Sequence, residues 1–325
     1  MSQCILPGTM LWKRRSFAGA AFAGLCGLAS AKPPKVKAGG IPTRPLGKTG
    51  VNLTVIGMGG ARFHLVSMEE GVAVVRRAYD LGVNYFDMAR SYFDGKAEDV
   101  YGAAIPPFRK KIFLTTKSGQ RTRKGAMEEL ETSLQRMKTD YVDLWQLHGV
   151  NRMAEVEQIF QPGGAMEAFQ EAKKAGKCRF IGYTNCRDPR VHLEMLRRAE
   201  RFDTALMPLH VADTCFSDSV EMSFEKTALP AAREKGLGCL AIKVFGNAFL
   251  LRTFSAGDCL RYTLSLPITA AALGFNTIGQ LEDDVRTAQS FRPLPEEQMA
   301  ALRARAGSGK FDTIRGPALE YWKTR

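Results

Sequence analysis

The chain has seven cysteines in 325 residues, and no two of them stand at Cys-x-x-Cys spacing. A zinc ribbon or a redox dithiol is thereby excluded, and no metal site is expected. Cys178 and Cys239 fall in apolar, strand-like runs, where small buried hydrophobes belong. Long apolar runs are missing too. The stretch 18–28 is too short to span a bilayer, and nothing else approaches transmembrane length, so no stable membrane insertion is expected. No Gly-x-Gly-x-x-Gly opens the first helix, because Gly57-Met58-Gly59-Gly60-Ala61-Arg62 has the wrong spacing; a doubly wound sheet is disfavoured. The formal net charge is +13, yet the body of the chain has no dense Lys/Arg run. Its basic residues share helical stretches with Glu and Asp, which describes a solvated surface and not a nucleic-acid interface.

What is present begins with Lys13-Arg14-Arg15-Ser16-Phe17, a mildly apolar stretch to Leu28, and then Ala29-Ser30-Ala31. A basic start, a short apolar core and small residues at a cleavage site are the parts of a secretory signal. Paired arginines followed by Phe17 resemble the twin-arginine export pattern. Residues 1–31 are therefore expected to be a twin-arginine-type signal peptide leading to the periplasm or beyond, with Met10 as an alternative start. Residues 32–42, with Pro33, Pro34, Gly39 and Gly40, read as a linker. The folded body is expected over 43–325.

From there apolar runs alternate with amphipathic stretches. Strands are expected at 53–58, 84–86, 111–116, 141–147, 178–183, 204–208, 238–244 and 270–275, several of them continuous apolar runs suited to burial on both faces. Between them Ser67 and Glu70 form a capping box ahead of Val72, Val75 and Tyr79, while Met127, Leu130, Leu134 and Met137 make a second helical stripe. Eight repeats of strand and helix describe a parallel α/β barrel.

Four polar residues stand where strands give way to loops. Asp87 and Tyr92 share Asp87-Met88-Ala89-Arg90-Ser91-Tyr92; Lys117 closes the run from Ile112, and His148 the run from Tyr141. Strand C-termini of a parallel barrel converge on one face, where chemistry is built. Hydride delivery to a carbonyl leaves negative charge on oxygen, so an acid must donate a proton as that charge grows. A tyrosine of pKa about 10 is a poor acid for this at neutral pH. An ammonium roughly 4 Å away, at an effective dielectric of about 20, favours phenolate by at most about 4 kcal/mol, because desolvation opposes it. Lys117 held by Asp87 can supply that charge, and His148 can donate to or orient the carbonyl. Singly, each has a duller reading as an ion pair, a loop aromatic or a rim histidine. Together they point to a carbonyl reductase.

These pieces resemble the aldo-keto reductases. The resemblance rests on Arg44-Pro45-Leu46-Gly47-Lys48-Thr49-Gly50, Asp87-x-Ala89-x-x-Tyr92, Lys117, Leu147-His148 and Ile181-Gly182-Tyr183-Thr184-Asn185, and runs from about Thr43 to the final helices. It implies a (β/α)8 TIM barrel with an N-terminal β-hairpin cap, binding an extended nicotinamide dinucleotide without a Rossmann domain. It also implies that Thr184 and Asn185 hydrogen-bond the nicotinamide carboxamide; read locally, they are a strand-ending Asx turn. The family's usual Gln at the next strand end is Met207 here, and its stacking aromatic is Ile242. Lys243 lies where pyrophosphate contacts are made, and Gly60, Phe245 and Gly274 join it as cofactor-binding candidates. Gly274 through Gln280 lead into a helix whose free N–H groups suit a phosphate, although Thr277 with Gln280 is also an ordinary capping box. The family's basic residues for an adenosine 2′-phosphate are missing. Glu282, Asp283 and Asp284 instead place three acids there, so NADP and NAD both stay open.

The expectation is an exported NAD(P)-dependent oxidoreductase that reduces a small carbonyl substrate, an aldehyde or ketone, and holds its cofactor tightly while a second substrate or a redox partner of unknown identity recycles it. Export after folding lets the cytoplasm load the cofactor and leaves scattered thiols without need of disulfides. The alternative is a cofactor-binding regulatory or sensory protein on the same fold, as the potassium-channel β subunits are. Substrate specificity is expected in the segments 150–162, 211–224 and 306–325.

Overall fold

The computed structural model describes residues 40–185, 187–198, 202–213 and 223–307. The expected signal segment, most of the expected linker, residues 214–222 and residues 308–325 lie outside these. Folding starts with a hairpin of β1 (Thr43–Pro45) and β2 (Asn52–Thr54). Gly47 in its turn has φ +52, and a Cβ there would meet the Gly238 backbone at 2.4 Å, so only glycine lets the hairpin lie this close to the barrel. Leu46 and Leu53 thereby enter one apolar cluster with Tyr85, Phe113, Leu144, Leu206, Leu240 and Ala270. The hairpin plugs one end of the barrel with these two leucines.

The barrel strands are β3 (Ile56–Gly59), β4 (Tyr85–Asp87), β5 (Phe113–Ser118), β6 (Val142–Leu147), β7 (Cys178–Thr184), β8 (Thr204–Pro208), β9 (Gly238–Ile242) and β10 (Ala270–Gly274). All pair in parallel, and β10 closes the ring against β3. The run expected as one strand at 53–58 is two elements. Leu53 serves the hairpin and Ile56 the barrel, and between them the N–H of Val55 bonds Pro42 O at 2.9 Å. The expected 238–244 strand stops at Ile242, because Lys243 turns to φ +62.

Ten helices occur among the described residues: α1 (Met68–Asp80), α2 (Lys96–Ala104), α3 (Arg123–Met137), α4 (Met153–Phe160), α5 (Ala165–Lys174), α6 (Pro189–Arg198), α7 (Leu229–Glu234), α8 (Ala256–Ser265), α9 (Ile278–Gln289) and α10 (Glu296–Gly307). The Ser67–Glu70 capping box opens α1 with both of its reciprocal bonds. Outward-facing strand residues meet the helices, as where Trp145 stacks on Phe169 of α5 with ring centroids 3.7 Å apart. No helix among the described residues is long and apolar enough to cross a membrane.

Candidate active site

Strand parity places the first two site residues. Tyr85 and Asp87 share the inner face of β4, and Thr115 and Lys117 that of the adjacent β5. Asp87 Oδ2 lies 2.6 Å from Lys117 Nζ, while Oδ1 accepts from Thr115 Oγ1 at 2.9 Å and Tyr85 OH at 3.3 Å. Lys117 Nζ donates further to Met88 O at 2.7 Å and Tyr92 Oη at 3.3 Å. Both charges are buried, Lys117 to 1% exposure and Asp87 to 2%. Such a pair survives desolvation only when its remaining protons and lone pairs are met. Here both carboxylate oxygens are bonded, and an ammonium's three protons match three acceptors. Because Tyr92 Oη accepts from Lys117, its own proton is directed to a different acceptor.

The loop that delivers Tyr92 is strained. Phe93, Asp94 and Gly95 all have positive φ, at 51°, 52° and 85°. Each non-glycine residue held there costs about 1–2 kcal/mol, and such outliers gather at functional sites. Gly95, at φ +85°, takes the left-handed backbone that glycine alone adopts without strain. His148 follows β6 and stands edge-on to Tyr92, with ring centroids 5.7 Å apart and planes at 83°. Burial, then the charges of Lys117, Arg121 and Lys243, push its pKa down to about 3. It is therefore a neutral imidazole at neutral pH. The structure thus brings Asp87, Tyr92, Lys117 and His148 together.

A cleft of about 400 Å³ extends from Asp87 and Tyr92 past β9 and β10 to the start of α9. Lys243, Phe245, Gly274 and Gln280 line it, as does Ile242. Lys243 Nζ donates to Asn247 Oδ1 at 3.0 Å. The other candidates make bonds within the protein. Gly60 donates its N–H to Asp87 O, and a Cβ there would strike Met88 2.3 Å away. Thr184 Oγ1 accepts from Gly149 N at 3.2 Å. Asn185 closes the Asx turn, its Oδ1 accepting from the N–H groups of Arg187 and Asp188 and its Nδ2 donating to Asp188 O. Neither Thr184 nor Asn185 belongs to the cleft lining. Thr277 caps α9 by accepting from Gln280 N, while Gln280 Oε1 turns back to the N–H of Asn276. The lining also includes Arg62, Asn247 and Asn276, which sequence reasoning did not single out. Arg62 was visible only as the residue that spoils a phosphate-loop spacing.

The three acids of α9 do not act alike. Glu282 is held by Arg77 of α1 at 2.6 Å and lies outside the cleft lining; Asp283 pairs with Arg286. Asp284 lines the cleft at 5% exposure, and burial, then Asp283, push its pKa up to about 7. The expectation of three like charges facing a phosphate is corrected to two acids on the cleft, Asp283 paired with Arg286 and Asp284 half neutral at pH 7.

An eight-stranded parallel barrel thus carries a tyrosine, a buried lysine–aspartate pair and a neutral histidine at one rim, groups able to exchange protons there. The model of the Aldo/keto reductase family matches residues 55–258, more than half of the chain, and the chain belongs to that family. It is 27% identical over 301 residues to an uncharacterized oxidoreductase, YqkF, of Bacillus subtilis, covering 80% of this chain and 95% of that one. It is 25% identical over 234 residues to L-glyceraldehyde 3-phosphate reductase of Escherichia coli, covering 66% and 64%. Among solved structures, an aldo-keto reductase from Bacillus halodurans superposes with TM-score 0.68 at 22% identity, covering 82% of this chain and 96% of that one. The protein is an oxidoreductase of this family, whose members use NAD(P)H to reduce carbonyls.

Proposed function

We propose that the protein reduces an aldehyde or ketone carbonyl to an alcohol, with Tyr92 as the proton donor. The observation that carries this is the single ammonium, Lys117, that bridges Asp87 and Tyr92 from a buried position. When bound, a nicotinamide dinucleotide supplies the hydride. The cleft suits such a group: it is elongated, carries Lys243 and Arg62 along its walls, and ends at the start of α9. Free N–H groups and the helix dipole at such an end favour phosphate. Lys117 stabilises negative charge on Tyr92 Oη as its proton leaves, and Asp87 holds Lys117 in place. Neutral His148 donates one N–H to the carbonyl oxygen, which orients it and stabilises the developing charge. The relative named for L-glyceraldehyde 3-phosphate makes small aldehydes the first substrates to screen. We also propose, from residues 13–31 alone, that the protein is exported by the twin-arginine route.

The deciding experiment is Tyr92→Phe. It removes the proton donor and little else, so turnover on any accepted carbonyl should fall by at least about 100-fold. Dinucleotide affinity, read by protein fluorescence, should stay within a few-fold. A variant keeping most of its turnover would show that another group is the acid.

A further inference from the structure

We propose that Ser91 is a positioning residue: its hydroxyl donates to Nδ1 of His148 and fixes the imidazole in the tautomer that carries its proton on Nε2. The proposal deepens the reading of His148 as the group that orients the carbonyl, and rests on it. Ser91 directly precedes the helical turn Tyr92–Gly95, where a serine ordinarily caps the following N–H groups. Its backbone is already helical, at φ −80° and ψ −7°, and its side chain makes no cap bond. The hydroxyl instead lies 3.1 Å from His148 Nδ1.

A neutral imidazole has one donor and one acceptor nitrogen, and the bond at one nitrogen decides the role of the other. If Nδ1 carried the proton, Ser91 Oγ would accept it. Nε2 would then present a lone pair to a carbonyl oxygen, and the two would repel. With the hydroxyl donating, Nε2 of the half-buried His148 carries the donor that the chemistry requires. The same stretch, Asp87 to Tyr92, thus holds the proton donor, the anchor of its activating lysine and the hydroxyl that sets the histidine's tautomer.

The chain has only four histidines, so nitrogen NMR of histidine-labelled, tag-free protein resolves them individually, with His148→Gln assigning the resonance. In the unmutated protein Nδ1 should read as unprotonated and Nε2 as protonated. Ser91→Ala should give a mixture of tautomers and lower kcat about three- to tenfold, the worth of one hydrogen bond, with dinucleotide affinity unchanged; Ser91→Thr should restore both. A proton on Nδ1 in the unmutated protein overturns the proposal, and that measurement needs no variant to fold. So does a Ser91→Ala protein with unchanged tautomer and kcat. Full turnover in His148→Gln would instead sink the role given to His148, and the tautomer would still decide for or against Ser91.

Discussion

Replacing Lys117 by methionine separates the two tasks that the structure gives to one ammonium. The first is stability. Without Nζ, Asp87 remains a carboxylate at 2% exposure with only the hydroxyls of Thr115 and Tyr85 on Oδ1. Stranding one member of a buried pair costs about 3–5 kcal/mol. The second task is activation. At 3.3 Å from Tyr92 Oη and an effective dielectric of about 20, the ammonium favours phenolate by about 5 kcal/mol. Asp87, 2.6 Å away on the other side, offsets about half of that. The pair together favours phenolate by about 2–3 kcal/mol, so losing both charges costs about 100-fold in kcat and losing the ammonium alone costs at least as much. The double change Asp87→Asn with Lys117→Met removes both charges, so it should recover most of the stability while kcat stays about 100-fold down. Urea unfolding gives the first quantity, and steady-state reduction of any accepted carbonyl gives the second. Turnover of Lys117→Met within tenfold of the unmutated enzyme would refute the activation argument. Recovery of activity along with stability in the double variant would refute it equally.

Two further expectations concern acid and targeting. His148, His192 and His210 have pKa values pushed down to about 3, about 3 and about 4, chiefly by burial. The unfolded chain therefore binds protons that the fold does not, and stability is lost as pH falls below the ordinary value of about 6.5. Asp284, raised to about 7, works the other way in the same window. The net loss between pH 7 and pH 5 should be about 2–3 kcal/mol, and equal unfolding midpoints at the two pH values would contradict it. For targeting, Arg14→Lys together with Arg15→Lys should leave the precursor in the cytoplasm, uncleaved at Ala31. Normal export of that variant in a fractionation experiment would point to the general secretory route.

The barrel and the rim residues were legible because both follow from local pattern. Period-two alternation puts Asp87 and Lys117 on the inner faces of neighbouring strands, and a strand end fixes the rim. Boundaries were less legible where one apolar run serves two structures: nothing local in residues 53–58 says that Val55 turns away to Pro42. Ser91 was passed over because its hydroxyl is used 57 positions away, on His148, and not in its own turn. For Asn185 the local signal was legible, since its amide makes the Asx turn that its own residues specify.

Charge was the hardest quantity to read, and cofactor preference turns on it. In sequence, Glu282, Asp283 and Asp284 are three negative charges at a helix start; the fold leaves few of them facing the cleft. Arg77, 205 positions from Glu282, removes the first, and Arg286 balances the second. Of the two acids on the cleft lining, Asp284 is the one without an ion pair among the described residues, and with a pKa of about 7 it opposes a 2′-phosphate only in part. Arg62 and Lys243 on the cleft walls and the start of α9 favour phosphate. Opposed terms of about 0.3–1 kcal/mol each cannot build a large preference, so the dissociation constants of NADP and NAD should lie within about 30-fold of each other, or about 2 kcal/mol. The sign of the residual is set by pH. Above pH 7 Asp284 ionises and NADP weakens relative to NAD; below it the carboxyl is neutral and the ratio moves toward NADP. The shift between pH 6 and pH 8 should be about two- to fivefold, and Asp284→Asn should flatten it. Fluorescence titration of both dinucleotides at the two pH values measures all of this. A thousandfold preference for NADP would mean that a cationic clamp outweighs Asp284, and a ratio that ignores pH would remove Asp284 from the argument.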